Sequence, residues 1–192
     1  MTRAAAGFYR PVMGSRWGDE GPPEEAYSRV TDPQRFAPLL AAAEALVDDL
    51  RSRYDVAVTE EPDAGPGALS ALRLHPVAGQ GADLVVVRTD FPGVHLRMGR
   101  WSRETFPHCG CDACDEQVED LVEELGAVVT DVVAGRFGEE LTGGPGPAVL
   151  SSWRPRSSRS AVLDPPQADA AGVPGRLDWP AWPERPGSPA GR

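Results

Sequence analysis

The sequence predicts an α+β fold: an antiparallel four- or five-stranded sheet with two helices packed on one face, in the order α-β-β-β-β-α, followed by a disordered C-terminal tail. Three observations carry this expectation. Apolar residues recur at spacings of three and four from Phe36 to Tyr54 and again from Val118 to Val133, the mark of two amphipathic helices. Between them lie four short β-like runs separated by loops that contain Gly or Pro. From Asp164 to Arg192 the chain has seven prolines and four glycines, a composition that favours low-complexity disorder. The expected organisation is an arm over residues 1–30, an α+β domain over 31–160 and a tail over 161–192, in a chain of 192 residues that is long enough to bury a core without disulfides.

In the arm, "GDEGPPEEAYSRV" shows no apolar period, so it is expected either to lie over the domain or to be partly mobile, with Tyr9, Trp17 and Tyr27 as candidate anchors. The first helix begins at Asp32-Pro33, an N-cap followed by proline at the first helical position, and tolerates Pro38 near its start. The four strands are "VAVTEE" from Val56, "LSALRLH" from Leu69, "DLVVVRT" from Asp83 and "GVHLRMG" from Gly93. Their short connections favour a meander, with Pro92-Gly93 placed as a type II turn requires. Because side chains alternate along a strand, Val94, Leu96 and Met98 face the core while His95 and Arg97 face away. The second helix, within "DEQVEDLVEELGAVVTDVVAGRF", opens a stretch from Asp115 to Glu140 that holds nine acids and one base, Arg136. "GGPGP" then breaks the pattern, and "AVLSSWRPRSSRS" reads as an edge strand or a strap anchored by Trp153.

The formal charge of -10 and the pI near 4.8 oppose non-specific binding to nucleic acid or to an anionic membrane. All 19 basic residues are Arg, and Lys, Asn and Ile are absent, which reads as a GC-rich genome and not as selection for arginine chemistry. No apolar run reaches the length of a membrane span, and the N-terminus lacks the apolar stretch of a signal peptide, so a cytoplasmic protein is expected.

Every cysteine lies in "FPHCGCDACDE", where Cys109, Cys111 and Cys114 fall within six residues. Three readings are open. Thiolates at this spacing resemble one half of a zinc site. His108 is the nearest further ligand in sequence, although sharing an ion with adjacent Cys109 strains the chain, and His75, His95, Asp112 or Asp115 serve only if the fold brings them close. Alternatively, Cys111-Asp-Ala-Cys114 is a redox pair with Cys114 in the first turn of the helix; the helix end then lowers a thiol pKa while Asp112, Asp115 and Glu116 raise it. The third reading is a tight turn at Gly110, with small buried thiols and Asp112 as helix cap.

With a helix, a short sheet and "FPHCGCDACDE" leading into an acidic helix, the region from Val30 to Trp153 resembles a family of small actinobacterial proteins with a domain of unknown function. The resemblance implies a fold unit and carries no activity, cofactor or catalytic residue. It leaves the Pro-rich tail after Ala161 outside the shared core.

Elsewhere, Arg73, Arg88, His95 and Arg97, together with Arg100 and Arg103, are candidates for a cationic sheet face that holds an anion or meets a partner. A solvated face with its arginines paired to acids is the competing reading. "LDWPAWPERP" places Trp179 and Trp182 among prolines as a candidate docking motif for a partner. No Ser/His/Asp set or phosphate-binding loop is recognisable, and no catalytic residue is assigned. The sequence thus favours a non-enzymatic protein that binds a protein partner, with a zinc-binding protein and a thiol redox protein as alternatives.

Overall fold

The computed structural model describes residues 15–187, apart from 63, 78 and 144–146. Tyr9 and most of the "GGPGP" break therefore lie outside the described residues. Helix α1 (Pro38–Arg53) is preceded by a separate 3-10 turn, Pro33–Phe36, so the first helix starts later than Asp32-Pro33 suggested. The cause is Pro38: it has no N–H to donate to Gln34, and the chain instead closes a tighter turn from the Ala37 N–H to the Gln34 carbonyl at 3.0 Å.

Five strands follow as an antiparallel meander in chain order: β1 (Val56–Glu60), β2 (Ala68–Pro76), β3 (Leu84–Thr89), β4 (Gly93–Met98) and β5 (Ser102–Phe106). The chain then passes through the cysteine loop into α2 (Val118–Val133). Both helices cover one face of this sheet. Leu39, Ala43, Val47 and Leu50 of α1 and Leu121, Leu125, Val128 and Val132 of α2 join Leu74, Leu84, Val86, Leu96 and Phe106 of the sheet in one buried core. Burial of such side chains contributes about 1.5–3 kcal/mol each, which makes this layer the main source of stability.

The remaining chain forms a second antiparallel sheet that the sequence reading did not anticipate. It contains β6 (Gly138–Thr142), β7 (Val149–Arg154), β8 (Ser157–Val162) and β9 (Gly175–Asp178) in the order β8-β7-β6-β9, with α3 (Pro165–Ala171) between β8 and β9. "AVLSSWRPRSSRS" is thus a hairpin of this second sheet and not a strap on the first. Trp153 lies opposite Gly138, where a Cβ would meet its indole ring at 2.4 Å.

The expectation of no fold after Asp164 does not hold for residues 164–187. Strand β9 pairs with β6 from Gly138↔Asp178 to Leu141↔Gly175, and Trp182 is 3% exposed. Trp182 donates its indole N–H to the Ala82 carbonyl at 2.9 Å and packs edge-on against Tyr54. Composition misleads here because two tryptophans supply large apolar surfaces and N–H donors that find partners, enough to order a Pro/Gly-rich chain. The motif around Trp179 and Trp182 therefore docks on its own domain.

The two sheets are joined by a buried acid. Glu139, with no exposed surface, accepts hydrogen bonds from the backbone N–H groups of Arg100 (2.6 Å), Trp101 (3.0 Å) and Ser102 (3.0 Å). The Ser102 hydroxyl and the Trp179 indole N–H add one each at 3.0 Å. Gly99 makes room for this arrangement: it has φ +59°, and a Cβ there would lie 2.3 Å from the Glu139 carboxylate. A second link joins Arg154 of β7 to Glu104 of β5 at 2.7 Å, with both side chains buried.

Glu139→Gln turns an amide NH2 toward backbone donors, so we expect a loss of about 2–4 kcal/mol in urea denaturation; a change below about 0.5 kcal/mol would remove its linking role. Trp182→Ala is expected to cost about 3–5 kcal/mol, and a near-neutral result would contradict the docking of the C-terminal segment.

Candidate metal centre

The cysteine loop leaves β5 through a cis Phe106-Pro107 bond and turns sharply at Gly110 (φ +78°), where a Cβ would come within 3.0 Å of the Phe91 ring. One carboxylate closes the turn. Glu116 accepts from three successive backbone N–H groups, those of His108 (2.8 Å), Cys109 (3.1 Å) and Gly110 (2.7 Å). Successive amides directed at one anion form a nest, so this acid is bound by the loop it stabilises.

A second carboxylate ties the loop to the N-terminal arm. Asp112 accepts from the Thr31 N–H at 2.9 Å and from the Thr31 hydroxyl, and these two bonds hold its carboxyl below the usual carboxylate range. Its own N–H donates to the Arg29 carbonyl at 2.8 Å, the Ala113 N–H to the Ala26 carbonyl at 3.1 Å, and the Trp17 indole N–H to the Asp112 carbonyl at 3.2 Å. The arm thus lies over the loop, anchored by Trp17, whereas Tyr27 is 58% exposed. Asp112 does not cap the second helix: α2 starts at Val118, after Gln117, and Cys114 lies outside its first turn. Neither Thr31 nor Glu116 stood out in the sequence, because a threonine and one acid among nine carry no local signal of such distant or backbone partners.

With the backbone fixed in this way, the three sulfurs converge. The Sγ atoms of Cys109, Cys111 and Cys114 all lie within 4.8 Å of one another, and the Cys109 thiol donates to Cys111 across 3.1 Å. Tetrahedral zinc with bonds near 2.3 Å holds its sulfurs about 3.8 Å apart, so the cluster fits such an ion after small side-chain adjustments. Cys111 is buried with Ala26 and Ala113 beside Trp17, Cys114 is half-buried, and Cys109 is exposed. Burial and the hydrogen bonds with Cys111 and Cys109 push the Cys114 thiol up to about 12. For Cys111, burial also acts upward, but hydrogen bonds from Cys109 and from the Cys114 and Ala113 amides prevail and lower it. Arg35 stands beside the loop, its guanidinium 3.5 Å from the Gly110 carbonyl and 3.4 Å from that of Cys111.

Among the described residues, the three thiols are the one group of ligand atoms that converges in this manner. His108 does not join it. Its Nε2 faces Glu124 Oε2 at 2.9 Å, and that hydrogen bond raises the imidazole pKa. His75 bonds Asp83 through Nδ1 at 2.6 Å, and Asp112 is held by Thr31. His95 is exposed on β4, where it shares with Cys109 the wall of a cavity of about 320 Å³.

The proposed cationic face is divided by the sheet register. Arg73 and Arg97 lie on the face away from the helices and share Glu61, Arg73 at 2.7 Å and Arg97 at 3.5 Å, while Arg73 also meets Asp83 at 3.0 Å. Arg88 lies opposite Val94, on the helix side, and pairs with Glu44 of α1. Two-residue alternation explains the split: positions 85 and 87 face outward with 95 and 97, so position 88 faces inward. Arg88 is therefore removed from the face on which the sequence reading had placed it.

The acidic helix borders a larger groove of about 640 Å³, with Asp120, Glu123, Glu124 and Asp131 on one wall and Arg154 and Arg156 on the other. Leu121 and Val128 give it an apolar floor.

Because Glu116 holds the loop closed, Glu116→Ala is expected to speed alkylation of the buried Cys111 at least several-fold in the unheated, metal-free protein. An unchanged rate would show that the three amide bonds do not govern the loop.

No curated protein and no solved structure matches the chain. A family model does match, and it spans residues 4–186, thereby including the C-terminal segment that the sequence resemblance had left outside. The chain belongs to the family of unknown function DUF6226.

Proposed function

We propose that this is a zinc-binding protein in which Cys109, Cys111 and Cys114 hold one Zn²⁺. The observation that carries the reading is the convergence of three Sγ atoms within 4.8 Å in a loop whose backbone is fixed by other groups. Sulfur-rich tetrahedral sites favour zinc over harder divalent ions, and binding displaces the thiol protons that the free cluster shares. The bound site would carry one net negative charge from the ion and three thiolates, which the nearby Arg35 offsets.

The metal's role is to fix the loop on which the N-terminal arm rests. Glu116 and Asp112 then act as supports that orient the ligands without touching the ion. A redox role is less well supported: α2 begins four residues after Cys114, so no helix end lies at the thiols to favour a thiolate. Among the described residues no helix is long and apolar enough to cross a membrane. A cytoplasmic location goes with the zinc reading, because thiols that must stay reduced to hold a metal suit a reducing compartment.

Protein purified without tag or chelator is expected to contain close to one zinc per chain by elemental analysis, and Cys111→Ser to lose most of it. Less than about a tenth of an equivalent, with three thiols titrating freely in the folded protein, would end the zinc reading.

A second reading rests on the groove beside α2. Its acidic wall and apolar floor suit a basic, amphipathic segment of a protein partner. Asp120→Arg with Glu123→Arg is expected to leave folding and metal content intact but to abolish salt-sensitive association with that partner. Retained association would exclude this groove.

A further inference from the structure

We infer that the metal centre keeps its fourth coordination position open toward the cavity beside Cys109, and that a small-molecule thiol binds the metal there. This rests on the zinc reading above.

The ligand set is the first argument. Structural zinc sites usually close with four protein ligands, whereas sites that act on a ligand keep one position free. The polar side chains around the loop are committed elsewhere: Glu116 to three amides, Asp112 to Thr31, and His108 to Glu124. Among the described residues, which include all three histidines of the chain, no further His, Cys, Asp or Glu ligand atom joins the three sulfurs.

Direction is the second argument. Cys111 and Cys114 pack beneath the arm with Ala26, Ala113 and Trp17, so a bound ion is covered on that side. Cys109 is exposed and forms part of the cavity wall. Of the three ligands only Cys109 lines the cavity, which makes it the side from which a small molecule can approach the ion, and its volume of about 320 Å³ suits one.

The wall selects the chemistry. Phe91, Phe106 and Pro107 make it partly apolar, and Asp90 is its one carboxylate. No arginine lines it, and a three-thiolate zinc is already an anion. Phosphates and carboxylates are thus disfavoured. A thiol enters neutral, and soft sulfur suits this metal. On binding, its S–H bond breaks, a zinc–sulfur bond forms in place of a bound water, and the proton passes to solvent. His95 and Thr105, cross-strand neighbours on β4 and β5, offer polar groups to the remainder of the molecule.

The test uses the full-length protein loaded with Co²⁺ and titrated with 2-mercaptoethanol. Thiolate-to-cobalt charge-transfer bands must appear on loading; their absence overturns the zinc reading itself. With cobalt bound, added thiol is expected to raise the charge-transfer intensity by about one third, as three sulfurs become four, and to shift the visible bands while cobalt stays with the protein on gel filtration. An unchanged spectrum, or cobalt extracted by the thiol, overturns the open position and leaves the zinc reading standing. Thr105→Trp fills the cavity and is expected to keep the three-thiolate spectrum but lose the thiol response. A full response in that variant overturns the assignment of the cavity.

Discussion

The Glu139 carboxylate is the interaction on which the two halves of the molecule depend. A buried acid is costly unless its lone pairs are filled. Here three amides and one hydroxyl of residues 100–102 and the indole of Trp179 fill them, so the acid gathers two segments that lie far apart in the chain. Strand β6 carries the acid into place, the turn closes around it, and Trp179 brings the C-terminal chain onto Oε1, which also accepts from the Arg100 N–H. From there the chain runs on to Trp182, which fills the space between Tyr54 and the Ala82 carbonyl. The four-stranded sheet is therefore attached to the helix-covered sheet through polar groups of its two central strands, Glu139 of β6 and Arg154 of β7, while the large apolar core lies between the five-stranded sheet and its helices.

The same device recurs at the cysteine loop. Glu116 gathers three amides and Asp112 gathers an amide and a hydroxyl, so two acids fix a backbone that contains no regular structure between β5 and α2. Fixing the backbone with carboxylates leaves the thiols free for one another. This arrangement would also tie metal binding to the N-terminal arm, because Asp112 and Ala113 are the residues hydrogen-bonded to Thr31, Arg29, Ala26 and Trp17. Zinc in the three-thiolate cluster would then stabilise the position of an arm that has little apolar surface of its own.

Much of the domain was legible in the sequence because it obeys simple periods. The stripe from Leu39 to Leu50, the stripe from Leu121 to Val133 and the alternation in β4 each identify a buried face. What escaped depends on long-range partners. In the sequence Glu139 is only one of the nine acids between Asp115 and Glu140, yet it is buried, because its donors lie about forty residues away in the chain. Likewise the tail reads as disordered by composition, and only its two tryptophans hint at the contacts that order it. Of the candidate site, the three cysteines were visible from spacing alone. Their separation from His108 follows from its pairing with Glu124, which no local pattern encodes, whereas the place of Arg88 on the inner face follows from the alternation along β3, with Glu44 there to meet it.

The central claim is that three sulfurs of one loop hold a metal ion. X-ray absorption at the zinc edge of the purified, untagged protein tests it most directly. The account predicts three sulfur neighbours at about 2.3 Å and one lighter oxygen or nitrogen neighbour. A shell made wholly of oxygen and nitrogen, or the absence of a zinc edge, would contradict it.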